Sequence, residues 1–376
     1  MNLKSAAKIL SCVVILLQLS TVQVDLSLPN TSFGTFFDRP SEKIQQIISY
    51  RSRPAAYVSS RSAADTLVFV GDVLLARNIE FLMRQNGNQY PYAGVSFADF
   101  GAQPAVVGNF EAAVPRVHVP TPIRMIDFSV DRLHLPALRE AGFTHMSLAN
   151  NHSFDFGETD FTHTVTQLEE TGINSFGHPN TVHNQSVEFV EVGDVMVAII
   201  GVHTLHTIPT YTELKKVFEY ASNRSEFQIV YVHWGTEYVY THNKRQREAA
   251  ERFVDAGADL VIGHHPHVVQ DVDLIAGVPV FYSLGNYIFD QYDSVSTEQG
   301  LLLQLDFTKL KSISLIPVTS EDTLSQPRRM TQENHARFLE NLSNRSDASV
   351  REYVRAGYFP LETTVATSAK IAIMSR

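Results

Sequence analysis

Short apolar runs that each end in a cluster of polar side chains constrain this chain more than any other feature. Residues 66–70 (Thr-Leu-Val-Phe-Val) end in Gly71-Asp72, and residues 104–107 end in Gly108-Asn109-Phe110-Glu111. Residues 144–148 end in Ala149-Asn150-Asn151-His152, and residues 227–232 in His233-Trp234-Gly235. Residues 260–262 end in Gly263-His264-His265-Pro266-His267, and residues 278–283 in Leu284-Gly285-Asn286. Short β-branched runs bounded by Gly and Asn read as buried strands. In layered α/β folds the C-terminal ends of such strands converge on one sheet edge, where ligand sites form.

Helical patterns alternate with these runs. Helices are expected near residues 76–84, 131–140 and 158–170, and at 244–256, where Ala249, Ala250, Phe253 and Val254 share a face opposite a run of charges. Further strands are expected near residue 173 and over 186–202, a hairpin over 299–315, and helices near 331–342 and 348–356. βα units mixed with hairpins imply an α/β fold with mixed sheets between helices.

Outside this region the chain changes character. Lys4 and Lys8 precede an apolar run over residues 9–19, the length of a signal h-region and short for a membrane span. Cleavage near Ser20 and retention as an anchor both fit, and either implies export. Residues 25–64 are rich in Ser, Pro and Arg and read as a linker with one short helix over 41–49. The expected organisation is a signal peptide or anchor (1–24), the linker (25–64), one domain (65–318) and a helical C-terminal extension (319–376) that packs on it. The end of that extension, from Leu361, is small and polar enough to be partly disordered.

Composition narrows the chemistry. Acidic residues outnumber basic ones 40 to 30, which argues against a nucleic-acid partner. Cys12 is the only cysteine, so the domain holds no disulfide, thiol nucleophile or thiolate ligand. A metal must be held by imidazole, carboxylate and amide groups. The strand-end residues Asp72, Asn109, Glu111, Asn151, His152, His233, His265 and His267 supply those groups. They suit one or two divalent ions, with Mn, Fe, Zn and Mg not distinguished. Two ions sharing a carboxylate could activate a water, and a histidine outside the ligand set could protonate a leaving group.

Each cluster taken alone has a plainer explanation. Gly71-Asp72 could be a turn, Asn151-His152-Ser153 a helix cap or glycosylation sequon, and His233 a core histidine. His203 and His206 read as ordinary loop residues near the strand ends. The order of the clusters is more specific. An Asp, a bridging acid, an Asn-His pair, a lone His and a His-x-His at successive strand ends resemble the calcineurin-like metallophosphoesterases. The forms Asn109-Phe110-Glu111, His233-Trp234-Gly235-Thr236-Glu237-Tyr238, His265-Pro266-His267-Val268 with Gln270, and Ser283 to Asp290 are similar to the CapA (poly-γ-glutamate capsule biosynthesis) family.

That resemblance covers roughly residues 66–307. It implies a four-layer α-β-β-α sandwich of mixed sheets and a hydrolase acting on a phosphoester or γ-glutamyl amide bond. It further implies metal ligands at Asp72, Glu111, Asn151, His233, His265 and His267. His152 would be catalytic, as general acid or oxyanion contact; Asn109 would be a catalytic contact to substrate or stand behind the ligands, and His264 would stand behind them. Two positions depart from the wider superfamily: Leu74 stands where a histidine ligand is usual, and Asn109-Phe110-Glu111 replaces Gly-Asp-x-x-Asp. One tightly bound ion is therefore as compatible as two. Expected partners are an anionic polymer or phosphoester substrate and a membrane-bound synthase complex. A non-catalytic polymer-binding subunit and a secreted phosphoesterase unrelated to capsule are the alternatives.

Overall fold

The computed structural model describes residues 63–205, 208–307 and 312–361. The N-terminal segment, the linker helix, His206 and the tail beyond Leu361 lie outside the described residues. The strands are β1 (Thr66–Val73), β2 (Pro104–Phe110), β3 (His145–Ser147), β4 (Asn174–Phe176), β5 (Val187–Val192), β6 (Val195–His203), β7 (Phe227–His233), β8 (Leu260–His264), β9 (Val272–Ile275), β10 (Val278–Phe281), β11 (Asn286–Ile288), β12 (Gln299–Asp306), β13 (Ser312–Thr319), β14 (Arg328–Arg329) and β15 (Tyr358–Pro360). The α-helices are α1 (Arg77–Asn86), α2 (Leu135–Glu140), α3 (Glu158–Glu170), α4 (Tyr211–Ser222), α5 (Lys244–Ala256), α6 (Gln332–Arg345) and α7 (Arg351–Ala356).

Two mixed sheets result. One runs β14-β13-β12-β1-β2-β3-β4, with β11 also paired to β1 and β15 to β13; the other runs β5-β6-β7-β8-β10-β9. β1 through β4 are parallel neighbours, as are β6, β7, β8 and β10, while the hairpin strands pair antiparallel. Alternate residues sort into layers, because successive strand side chains point to opposite faces. Leu67, Phe69, Val107, Ile199, Ile229, Tyr231 and Ile262 bury between the sheets. Ala198, Ile200, Val230, Val232 and Val261 bury against α4 and α5 through Leu214, Phe218, Ala250 and Phe253. On the first sheet Val68, Val70 and Val106 are also fully buried, and the helices linking its parallel strands bury Ile79, Leu138, Phe161 and Leu168. The architecture is the expected α/β sandwich of two mixed sheets between helices.

Local chemistry explains the element ends. α5 begins at Asn243, whose side chain accepts the Gln246 N–H while Gln246 reaches back to the Asn243 N–H, a capping box that contributes about 1 kcal/mol. The charge run on α5 is not wholly solvated, because Arg247 pairs with Asp273 of the neighbouring β9 and Gln246 is buried. His203 corrects an expectation: it closes β6 and is 8% exposed, so it is a strand residue and not a loop residue. The parallel register explains this, since it places His203 beside His233.

The C-terminal segment shares the central core. Phe338, Leu339, Leu342, Val354 and Phe359 join the cluster that contains Val272, Phe281 and Leu315. The Ser346 hydroxyl accepts the Val272 N–H at 3.0 Å, and Arg345 donates to the Val269 carbonyl at 2.8 Å. Among the described residues no helix is long and apolar enough to cross a membrane.

Candidate metal centre

Parallel pairing aligns the strand ends. Asp72 lies opposite Asn109 in the β1/β2 ladder, and His233 lies opposite His264 in the β7/β8 ladder. Close backbone approach makes this convergence tight. A Cβ at Gly71 would stand 1.9 Å from the Gly285 carbonyl oxygen, and one at Gly263 2.0 Å from that of Tyr282. Only glycine fits at either point. Past β8 the chain turns through left-handed backbone at His265 (φ 95°) and His267 (φ 57°). For a non-glycine residue this costs on the order of 1 kcal/mol or more at each position, a strain typical of functional sites.

The side chains form a layered network. Asn109 donates to Asp72 Oδ1 at 2.8 Å and lies 3.1 Å from His233 Nδ1, while its own oxygen accepts from Asn150 at 3.0 Å. At 1% exposure its amide is spent within the cluster. Asn150 also caps the next turn, accepting the His152 and Ser153 N–H groups. His233 Nε2 stands 2.7 Å from Asn151 Oδ1. His267 Nδ1 faces Asn286 Oδ1 at 2.9 Å, which turns its Nε2 toward Glu111. His152 Nδ1 faces Asp155 at 3.0 Å, and its ring stacks on Phe128 with centroids 4.0 Å apart.

Glu111 lies at the middle of this arrangement. It is 0% exposed, and Nε2 of His152, His233 and His267 each lie 3.9 Å from its Oε1. Among the described residues neither carboxylate oxygen has a hydrogen-bond partner, and the same holds for His265 Nδ1 and both ring nitrogens of His264. An unpaired buried carboxylate costs several kcal/mol. Burial accordingly pushes the Glu111 carboxyl well above the usual range, with the His267 charge opposing it. Burial would raise Asp72 too, but the His264 and His267 imidazoles beside it prevail and hold it well below the usual range. Burial lowers His233, and it lowers His265 to about 3. Burial would also lower His267, but the two carboxylates raise it to about 9.

This donor set fits a divalent cation. Ligand atoms of Glu111, His265 and His267 lie within 4.8 Å of one another, as do those of Asp72, Glu111 and His233, with Glu111 common to both groups. Oxygen and imidazole donors suit hard or borderline ions, and an ion would partner the orphaned Glu111 oxygens. All eight residues singled out from the sequence (Asp72, Asn109, Glu111, Asn151, His152, His233, His265 and His267) come together in this one region. Leu74 is fully buried and apolar. His264 packs on Tyr231 at 4.1 Å and approaches Asp72 at 3.4 Å, behind the two ligand groups.

Four further residues carry the site without having been assigned a part in it from sequence. Asn286 orients His267, and Asp155 orients His152. Phe128 stacks on His152, and Phe289 lies 4.7 Å from the ring of His267. Asn286 and Phe289 fall in the segment Ser283 to Asp290 and so were marked, while Asp155 lies three residues after His152. Phe128 carried no signal, because its loop has no periodicity.

The chain spans 60–63% of the length of two curated relatives that it matches. It is 29% identical over 239 residues to the PGA biosynthesis protein CapA of Bacillus subtilis (strain 168), covering 59% of this chain and 63% of that one. It is 29% identical over 251 residues to the capsule biosynthesis protein CapA of Bacillus anthracis, covering 60% of each. Among solved structures, a putative 5'-nucleotidase from Staphylococcus aureus aligns with a TM-score of 0.43 and 12% identity, over 66% of this chain and 52% of that one. The family described as "Bacterial capsule synthesis protein PGA_cap" matches residues 66–291, the stretch that contains every residue of the site described above. With more than half of its length matched, the chain belongs to the bacterial capsule synthesis protein PGA_cap family.

Proposed function

We propose that this protein is an exported metal-dependent hydrolase that cleaves a phosphoester or γ-glutamyl amide bond during assembly, anchoring or release of an anionic capsule polymer. The observation that carries the reading is Glu111: a buried carboxylate with both oxygens unpartnered, facing three imidazoles. Asp72, Glu111, Asn151, His233, His265 and His267 would hold one or two divalent ions. A bound ion supplies Lewis acidity and lowers the pKa of a water.

The protein groups divide the remaining work. Asp72 accepts from Asn109 and from the His265 N–H, so its carboxylate is fixed before any ligand arrives. Asn286 fixes the ring of His267, and Asn109 that of His233. His152 is 14% exposed at its side chain, so it borders both the buried cluster and solvent. With Nδ1 held by Asp155, its Nε2 can deliver a proton to the departing oxygen or nitrogen. A membrane-bound synthase complex is the partner that export and an anionic polymer imply.

Elemental mass spectrometry on the domain from Asp65 onward tests the reading, beside a Glu111→Ala/His265→Ala variant. Stoichiometric metal lost in the variant, with hydrolysis of a γ-glutamyl or phosphoester substrate lost in His152→Ala, supports it. A parent that takes up no manganese, iron or zinc would overturn it and leave a non-catalytic polymer-binding subunit. Hydrolysis of small phosphoesters above polyglutamate would instead point to a phosphoesterase unrelated to capsule.

A further inference from the structure

Arg77 opens α1, five residues after Asp72, with its backbone in the left-handed region at φ 54°. A straight-chain residue gains nothing from that conformation, and the side chain it aims is expensive to place. Its guanidinium lies 4.6 Å over the ring of Phe128 and 5.6 Å from that of Phe289. Those two rings are the ones that pack on His152 and His267. One edge of the guanidinium pairs with Asp290, whose second oxygen accepts the Asn78 N–H at 3.1 Å. The side chain is 12% exposed, and its Nε is buried without a hydrogen-bond partner among the described residues.

A salt bridge alone does not require this arrangement. Asp290, in the loop that follows β11, would hold a lysine equally well, and no aromatic box would be needed. The two rings beside the guanidinium pack on His152 and His267, whose Nε2 atoms each lie 3.9 Å from the buried Glu111 carboxylate. With 12% of its side chain exposed, Arg77 therefore stands at the edge of the cluster, next to the rings that pack on its histidines. A planar guanidinium with donors to spare, flanked by aromatic faces and held by one carboxylate, is suited to bidentate capture of an oxyanion.

We infer that Arg77 forms an oxyanion subsite at the mouth of the cluster, which binds the carboxylate or phosphate of the substrate and presents the adjoining bond to His152. This inference rests on the proposed hydrolase reading and names how that site takes an anionic substrate. Asp290 and the two phenylalanines act as positioning residues, keeping the guanidinium turned toward the cluster. The same aromatic rings couple anion capture to the two histidines they pack on.

The test measures binding of inorganic phosphate and of glutarate to manganese-loaded protein by calorimetry, with bound metal quantified on the same samples. Arg77→Gln strands Asp290, so Arg77→Gln/Asp290→Asn is measured beside it, and Arg77→Lys keeps the charge while losing the fork. Expected is a drop in anion affinity of at least tenfold in the double variant, a smaller drop in Arg77→Lys, and unchanged metal content in both. Preference for phosphate identifies a phosphoester substrate, and preference for glutarate a carboxylate-bearing one. Metal-loaded parent that binds neither anion, or a folded double variant that binds both as the parent does, overturns the inference. Failure of the metal reading is distinguishable, because it shows as a parent without bound metal.

Discussion

Asp155 Oδ2 lies 3.0 Å from His152 Nδ1 and at the same time accepts the Phe128 N–H at 2.7 Å. One carboxylate thus sets both the tautomer of the histidine and the loop that carries the ring stacked on it. Both interactions orient Nε2 toward the buried cluster.

Asp155→Asn should therefore act on chemistry and leave metal binding alone. Loss of a carboxylate that orients a catalytic histidine costs about 10- to 100-fold, and loss of a general acid itself about 10²- to 10⁴-fold. The expected result is a kcat that falls less in Asp155→Asn than in His152→Ala, with the pH–rate profile altered in the former. Equal metal content but unchanged kcat in both variants would remove His152 from the mechanism.

The unpaired Glu111 carboxylate makes a prediction about the metal-free protein. Burial that raises the pKa of a carboxyl costs the folded state about 1.4 kcal/mol for each unit of the rise, and Glu111→Gln removes that cost. In chelator, Glu111→Gln should melt at a higher temperature than the parent. On adding manganese the order should reverse, since an ion at 100 times its Kd stabilises the parent by about 2.7 kcal/mol. Scanning calorimetry in both conditions decides it; a variant that melts lower in chelator contradicts the burial argument.

Gly71 makes a purely steric prediction. A methyl group there would stand 1.9 Å from the Gly285 carbonyl oxygen, which accepts the Asp72 N–H at 3.0 Å. Gly71→Ala should cost about 3 kcal/mol by overpacking and lower the metal content as well, because the strand that carries Asp72 must shift. Urea titration and elemental analysis read the two effects. A variant of parental stability would mean that β1 and β11 can separate at no cost.

His178 predicts a pH dependence away from the metal cluster. It packs against Phe161 at 4.9 Å and lies 6.0 Å from His183. Burial first, and the neighbouring His183 second, push its pKa down to about 4 from 6.5. The unfolded chain then binds a proton that the folded protein refuses. Stability contributed by the neutral ring is complete above about pH 6.5 and is lost as pH falls toward about 4. Allowing for its partial exposure, the effect is on the order of 1–2 kcal/mol. His178→Gln should flatten the melting curve of the protein against pH within that window; parallel curves would show that the ring does not resist protonation.

Much of this molecule is local and so legible in the chain. The α5 helix was readable to its ends, because a 3.6-residue apolar stripe is written in consecutive residues. The strand-ending clusters were readable for the same reason, and all eight of their candidate residues meet in space. Shorter elements were not. β9, β11, β14 and β15 hold between two and four residues each, and they are strands only because a neighbour supplies hydrogen bonds.

By itself the sequence determined the order of the βα units, the absence of thiol chemistry from the domain, and the acids, amides and imidazoles at the strand ends. Tertiary structure decided what those groups experience. Glu111 is orphaned because packed layers close around it and bring three imidazoles no nearer than 3.9 Å. Arg77 lies over Phe128 and pairs with Asp290, residues that arrive from 51 and 213 positions away. Burial and long-range charge depend on what the rest of the chain excludes from the site, and no local pattern encodes that.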